Sequence, residues 1–350
     1  MDLNNTDLFQ YMETQNCSEI HIKSDPATGL NAIIAIHNTQ NGPALGGCRC
    51  LEYTDFQAAM TDAIRLAQGM TYKAALAKLP LGGGKTVLLK PAIIPDRQAY
   101  FEALGCFINE LSGRYITAVD SGTSPDDMDI IATQTNYVTC NKQANGLLAN
   151  PSPYTAKGVC RGIEAAVKFK LKANSLENIR VFIQGVGQVG YYLAKELNQR
   201  GAKLYIHDIN TKALERCADE FQAIPVTLNE AYLLDFDVYA PCALGGILHP
   251  ESINLISAPI IAGAANNQLI LSEHGRLLHE KGILYAPDYV INAGGLIHCY
   301  AQYTQLSESC IHQKIDEIYN TLWNIFECSH HENKPTNFVA DKMALSTLKQ

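Results

Sequence analysis

The residues best suited to chemistry lie in the stretch Gly69-Met70-Thr71-Tyr72-Lys73-Ala74-Ala75-Leu76-Ala77-Lys78-Leu79-Pro80-Leu81-Gly82-Gly83-Gly84-Lys85-Thr86, where Lys73 and Lys85 bracket a glycine triplet. If the chain folds back between Lys73 and Lys85, both ammonium groups reach one cleft, and two like charges there depress each other's pKa. One lysine can then act as a general base while the other stays charged and holds an anion. The glycines would leave bare backbone against which a small substrate could lie. Taken singly, each feature has an ordinary reading, since a lone lysine is usually solvated and a glycine run is usually a turn. A P-loop is rejected, because that motif needs a glycine five residues before Gly84 and Leu79 stands there.

Two further features could serve the same chemistry. Asp120, in Val119-Asp120-Ser121-Gly122-Thr123, is a lone carboxylate at the end of an apolar strand pattern, where sites form in α/β sheets. Its ordinary reading is a turn aspartate, and Ser124-Pro125-Asp126-Asp127 beside it looks like a helix cap. Farther on, Arg180-Val181-Phe182-Ile183-Gln184 runs into Gly185-Val186-Gly187-Gln188-Val189-Gly190 and then a helical pattern, which is G-x-G-x-x-G in the strand-to-helix context that gives it meaning. The next strand ends in Asp208, 23 residues after Gly185, placed to accept hydrogen bonds from a ribose. That carboxylate would repel a 2′-phosphate, so the cofactor expected at Gly185, Gly187, Gln188, Val189, Gly190 and Asp208 is NAD rather than NADP.

The elements that must position these groups read as follows. Residues 3–15 carry a short helical pattern that includes Leu3 and Leu8, and residues 32–36 form an apolar strand. Another strand precedes Gly46 and Gly47. Residues 55–70 read as a helix with Phe56, Ala59, Met60, Ala63, Ile64 and Ala67 on one face and Thr54 as its cap, delivering the chain to Lys73. A strand at 86–89, a helix at 96–111 and a strand at 115–119 complete an α/β first domain. Residues 141–154, with Asn141, Gly146, Asn150, Pro151 and Pro153, mark the boundary. Beyond it come a helix at 155–170, strands at 180–184, 203–207, 237–240, 259–262 and 283–285, and one long helical pattern from 295 to 328. These strands extend a doubly wound parallel sheet. A last helix at 337–348 is expected to return to the first domain. The expected organisation is an N-terminal α/β substrate domain of the dimerisation type, residues 1–140 plus 332–350, and a Rossmann NAD-binding domain, residues 141–331.

Composition narrows the class. A chain of 350 residues, 47% hydrophobic and 18% charged, can bury two cores. A net charge of −8 without a basic run argues against a nucleic-acid or anionic membrane partner. The N-terminus lacks the pattern of a secretion signal, and no apolar run is long enough for a membrane helix, so a cytoplasmic protein is expected. Eleven scattered cysteines without a C-x-x-C pair read as reduced thiols, and none stands at structural-metal spacing, so no metal site is expected.

With these pieces in place the chain resembles the amino-acid dehydrogenase family that includes the leucine, valine and phenylalanine enzymes, the leucine branch above all. The resemblance runs from about Ala32 to the C-terminal helices. It rests on Gly42-Pro43-Ala44-Leu45-Gly46-Gly47, the opening stretch, Asp126-Asp127-Met128-Asp129-Ile130-Ile131, Asn150-Pro151-Ser152-Pro153, Ala262-Gly263-Ala264-Ala265-Asn266-Asn267-Gln268-Leu269 and Ala286-Pro287-Asp288-Tyr289-Val290-Ile291-Asn292-Ala293-Gly294-Gly295. It implies that Lys73 binds the substrate carboxylate, that Lys85 is the catalytic lysine and that Asp120 assists proton transfer. It further places Gly46 and Gly47 against the substrate, with Leu45, Ala118, Leu296 and Cys299 around its side chain. Asn267 would hold substrate and cofactor, Thr155 would meet the nicotinamide amide, and Ala240 and Asn292 would lie beside the cofactor. The chain departs from the family pattern at Val119, where a glutamate is usual, at Ser121, where a valine is usual, and at Leu296 and Cys299, which replace valines. The function implied is NAD-dependent reversible oxidative deamination of leucine, valine or isoleucine by a homo-oligomer, an octamer or a dimer. The alternatives are a phenylalanine or tryptophan dehydrogenase and a catalytically silent NAD-binding homologue.

Overall fold

A computed structural model describes residues 7–142 and 150–348. Leu3 and Gly146, used above for the first helix and the boundary, lie outside the described residues. Two compact units emerge, one from Met1–Asn150, Cys299–Glu308 and Thr347–Gln350, the other from Pro151–His298 and Ser309–Ser346.

The first unit is built on five strands, β1 (Glu19–Asp25), β2 (Leu30–Asn38), β3 (Ala44–Leu51), β4 (Gly82–Leu89) and β5 (Tyr115–Val119), in the order β1-β2-β4-β3-β5. The β1–β2 and β2–β4 pairs are antiparallel, while β3 runs parallel to both β4 and β5. Because side chains alternate across a strand, each face has its own core. Ile34, Ile36, Ala44, Cys48, Cys50 and Tyr115 pack under the helices Arg97–Glu110 and Pro125–Ala132. Ile33, Ala35 and Val87 pack on the opposite face under the helix Phe56–Leu76, through Ala59, Met60, Ala63, Ile64 and Ala67.

That helix differs from expectation at both ends. Its cap is Asp55, whose carboxylate accepts from the Ala58 amide at 2.8 Å, rather than Thr54. It also runs past residue 70 to Leu76, which puts Lys73 in its last turn instead of beyond it. The reason is that Thr71, Ala74 and Ala75 continue the buried stripe, and alanine and leucine are strong helix formers. The glycine triplet is likewise not a turn but the start of buried β4. A Cβ at Gly82 would sit 1.8 Å from the Asn38 carbonyl oxygen, and one at Gly83 would sit 2.1 Å from the Thr71 amide nitrogen. The triplet therefore lets the helix and β2 approach β4 closely. The edge strand β1 has no counterpart in the sequence reading.

The second unit carries β6 (Arg180–Gln184), β7 (Lys203–His207), β8 (Ile224–Pro225), β9 (Val238–Pro241), β10 (Ile260–Ile261) and β11 (Leu284–Tyr285), in the order β11-β10-β9-β6-β7-β8. All pairs are parallel, with the order reversing at β6 and β9, as in a doubly wound dinucleotide fold. The long helical pattern from residue 295 divides into Gly294–Thr304 and Glu308–Glu332, because Gln305 takes a left-handed φ of 58° that no helix continues through.

The expected C-terminal return to the first unit is corrected. Within the second unit the Thr336 hydroxyl donates to the Tyr285 carbonyl at 2.6 Å, the Asn337 amide to the Ser272 carbonyl at 3.0 Å and the Tyr289 hydroxyl to Asp341 at 2.5 Å. Three polar anchors fix the helix Thr336–Leu348 there, and only the residues from Thr347 group with the first unit. The segment that does join the first unit is Cys299–Glu308: the Thr139 hydroxyl donates to the Cys299 carbonyl at 3.0 Å and the Cys140 amide to Gln302 at 2.9 Å. Residues 141 and 142 also belong to the first unit, so the boundary lies later than residue 140. Among the described residues no helix is long and apolar enough to cross a membrane.

Candidate active site

Lys85, Asp120, Leu45, Gly47 and Ala118 share one face of the first sheet by alternation along β4, β3 and β5. The Lys85 ammonium lies 2.5 Å from Asp120 Oδ2, with the lysine side chain 7% exposed and the aspartate 17%. β3 runs between their two strands, so the lysine must cross it. It does so over Gly47, where a Cβ would stand 2.7 Å from the Asp120 Cβ and 3.1 Å from the Lys85 Nζ. Gly46 points the other way and is tight for a different reason, as a Cβ there would meet the Gly84 carbonyl oxygen at 1.7 Å.

The ionic partner of Lys85 is thus a carboxylate. Burial by itself would raise the Asp120 carboxyl, but the Lys85 ammonium and the Arg49 guanidinium outweigh it and hold the acid well below the usual carboxylate range. Arg49 escaped the sequence reading. It follows Gly47 by two residues on β3, so it emerges on the same face, and its Nε donates to Asp120 Oδ2 at 3.2 Å. Its Nη1 donates to Asp62 Oδ2 at 3.0 Å, and the Tyr53 hydroxyl donates to the same oxygen at 2.7 Å. The signal available in the sequence was that two-residue spacing.

Lys73 is half-buried in the last turn of its helix. Its ammonium acts on the Cys299 thiol, which contact with the Cys140 thiol and burial push up against it. Leu45, Ala118 and Cys299 are buried in the first unit and Leu296 in the second, and all four are apolar.

In the second unit the three glycines of the fingerprint do three separable things. Gly185 has a φ of 99° and would meet the Ala243 amide nitrogen at 2.7 Å if it carried a Cβ, so it makes the tight turn. Gly190 would meet the Gly185 carbonyl oxygen at 2.0 Å, so it sets how closely the helix Gln188–Asn198 packs on that turn. Gly187 has nothing within 4 Å, which leaves open space where a ligand's phosphates can reach backbone. Asp208 accepts from the Val186 amide at 2.7 Å and from the Asn210 amide at 2.9 Å, which aims its carboxylate beside the turn. Asn292 is buried; its amide nitrogen donates to the Ala264 carbonyl and to Asn266, while its Oδ1 has no hydrogen-bond partner among the described residues. An acceptor buried without a donor costs about 1–3 kcal/mol, which a ligand amide could offset. These residues therefore fit a dinucleotide. Asn267 is exposed at a φ of 52°, its amide donating to Asp288 at 2.5 Å. Gln188 and Val189 open the helix after the turn, Thr155 is half-buried near the start of the helix Ser152–Leu171, and Ala240 is fully buried within β9.

Comparison with known proteins gives the family. Residues 14–137 match the Glu/Leu/Phe/Val dehydrogenase dimerisation domain, and residues 206–341 match the Glutamate/Leucine/Phenylalanine/Valine dehydrogenase model. The chain is 47% identical to a leucine dehydrogenase of Geobacillus stearothermophilus over 338 residues, covering 97% of this chain and 92% of that one. It is 42% identical to an L-tryptophan dehydrogenase of Nostoc punctiforme, covering 90% and 88%. A crystal structure of L-tryptophan dehydrogenase from that organism superimposes with a TM-score of 0.85 at 39% identity, covering 98% of each chain.

Proposed function

Since the chain belongs to the glutamate/leucine/phenylalanine/valine dehydrogenase family, we propose that it catalyses the reversible, NAD-dependent oxidative deamination of a branched-chain aliphatic L-amino acid. Leucine, valine and isoleucine are its substrates, and the products are the 2-oxo acid and ammonia. The observation that carries this reading is the Lys85–Asp120 pair, held at 2.5 Å with both side chains largely buried.

The roles follow from the groups present. Lys73 holds the substrate carboxylate as a fixed cation. The turn at Gly185, Gly187, Gln188, Val189 and Gly190 and the carboxylate of Asp208 would hold NAD, with Thr155, Ala240, Asn267 and Asn292 beside it. The chemistry NAD supplies when bound is acceptance of the α-hydride. Once the substrate is an imine, Lys85 takes a proton from the attacking water and then, charged, steadies the oxygen that has become bonded to carbon. Asp120, ionised until then, takes the proton of the new hydroxyl group and passes it to the substrate nitrogen, so that the carbonyl forms as the carbon–nitrogen bond breaks and ammonia leaves. Gly47 leaves β3 bare where Lys85 crosses to Asp120, and Gly46 lets β3 lie close against β4. Because Leu45, Ala118 and Cys299 of the first unit are all buried and apolar, a serine, aspartate or lysine side chain against them would bury an unsatisfied group, and such substrates are rejected.

NADH formation measured across the twenty amino acids tests the proposal. The expected result is the highest kcat/KM with leucine, valine or isoleucine. A maximum with phenylalanine or tryptophan would replace it with the aromatic reading, and no turnover of any amino acid would mean a silent homologue. We further propose a homo-oligomer, dimer or octamer, supported by the match to a dimerisation domain and checked by sedimentation. Eleven cysteines with no disulfide among the described residues suit a reducing cytoplasm.

A further inference from the structure

We infer that Arg49 is a positioning residue of this reaction: its guanidinium holds the Asp120 carboxylate in place beside Lys85 and ties that carboxylate to the helix Phe56–Leu76 through Asp62. The inference rests on the reading of Lys85 and Asp120 given above. Both cations reach the same oxygen, Asp120 Oδ2, Lys85 at 2.5 Å and Arg49 at 3.2 Å. They are not equivalent partners. Lys85 must gain and lose a proton during turnover, and its ammonium is a point charge on a flexible stem. Arg49 never loses its charge, and its planar fork spans two carboxylates at once, Asp120 through Nε and Asp62 through Nη1. Asp62 is in turn fixed by the Tyr53 hydroxyl at 2.7 Å.

In the step where Lys85 is uncharged, a buried carboxylate with no other cation would be costly and would tend to take up a proton itself. Arg49 keeps it ionised and aimed through that step. The groups that face Asp120 are Lys85 from β4, Arg49 from β3 and, behind Arg49, Asp62 from the helix and Tyr53 from the connection leading to it; the Cys48 thiol acts from the other face of β3. Burial raises the Asp120 carboxyl while Lys85 and Arg49 lower it, so removing Arg49 moves it upward. An acid limb of activity that depends on ionised Asp120 must then move to higher pH.

The test is the pH dependence of kcat and kcat/KM in wild type, R49Q, R49K, D62N and D120N, each checked for thermal stability. In R49Q the acid limb should rise by about one unit or more, the smaller end of what an arginine does to a neighbouring aspartate, with kcat falling about tenfold or more while KM for the amino acid stays close to wild type. R49K should restore the limb and leave kcat low, because it returns the charge without the fork. D62N should lower stability with the limb unmoved, which separates holding the helix from holding the carboxylate. If D120N loses activity while R49Q keeps the wild-type limb, the inference is overturned and the reading of the site stands. If D120N keeps wild-type kcat, the reading of the site itself falls. Should R49Q not fold, R49K decides: unchanged kcat and limb would mean that any positive charge suffices and that Arg49 positions nothing.

Discussion

Gly47→Ala adds one methyl group at the point where Lys85 crosses β3, and its effect can be worked out from distances alone. The added Cβ would lie 2.7 Å from the Asp120 Cβ, 3.1 Å from the Lys85 Nζ and 3.2 Å from the Asp120 Cγ. Carbon atoms ordinarily pack at about 3.5–4.0 Å, so the aspartate must retreat by roughly 0.8–1.3 Å. The Lys85–Asp120 contact of 2.5 Å cannot survive that movement unchanged. Misplacing a reacting group by about 1 Å can cost about a hundredfold in rate, and overpacking costs about 1–3 kcal/mol of stability. Gly47 does not have a positive φ, so the backbone accepts alanine and the whole effect falls on the ion pair. The assay is kcat at saturating amino acid and NAD, beside NAD affinity and Tm. A loss of about a hundredfold in kcat with NAD affinity intact is expected, since the cofactor turn belongs to the other unit. A variant with wild-type kcat and Tm would refute the idea that the glycine exists to let the lysine through.

Other glycines should behave in the opposite way. Gly69 lies inside the helix Phe56–Leu76 with nothing near its missing Cβ, so Gly69→Ala should stabilise the protein by about 0.8–1 kcal/mol, read as a higher Tm with unchanged kcat. Gly187→Ala should leave Tm unchanged and weaken NAD binding, read by titration, because the methyl group occupies space that is open without ligand. Asp208→Ala should narrow the preference for NAD over NADP, as kcat/KM for the two cofactors will tell. It should also weaken NAD itself, because the Val186 amide loses its 2.7 Å acceptor and the turn loosens; equal use of both cofactors by wild type would refute the role given to Asp208.

What the sequence made legible was whatever depends on neighbours along the chain. The strand Tyr115–Val119, the strand Lys203–His207 and the capping box of Ser124 with Asp127 are local patterns, and each lies where the pattern puts it. Lys85 and Asp120 could be singled out for their chemistry, but their pairing depends on strand order, which sets β3 between them. Arg49 stayed hidden because its two acceptors, Asp62 and Asp120, stand 13 and 71 residues away. The edge strand β1 was missed because its residues are mostly half-buried and alternate weakly, and only its register with β2 makes it a strand. The C-terminal helix went to the wrong unit for the same reason, since its anchors at Ser272, Tyr285 and Tyr289 are 48–65 residues distant.

The glycines make the limit sharpest, because one residue type answers several different demands. Gly82, Gly83 and Gly84 read as a turn on sequence, yet what crowds them is the Asn38 carbonyl, the Thr71 backbone and the Tyr115 ring, none of them adjacent in the chain. They belong with Gly46 and Gly190, which exist so that backbone can meet backbone or a core ring. Gly47 differs in kind: the atoms nearest its missing side chain are those of Asp120 and Lys85, the two groups assigned to proton transfer. Gly187 differs again, since nothing of the protein is near it. A glycine crowded by backbone serves the fold, one crowded by ionised side chains serves the catalytic pair, and one facing empty space in a strand-to-helix turn serves a ligand. The substitutions above separate the last two cases by readout, since kcat should fall in Gly47→Ala and cofactor binding in Gly187→Ala, while Gly69, with open space beside it in a helix and neither role, should only gain stability.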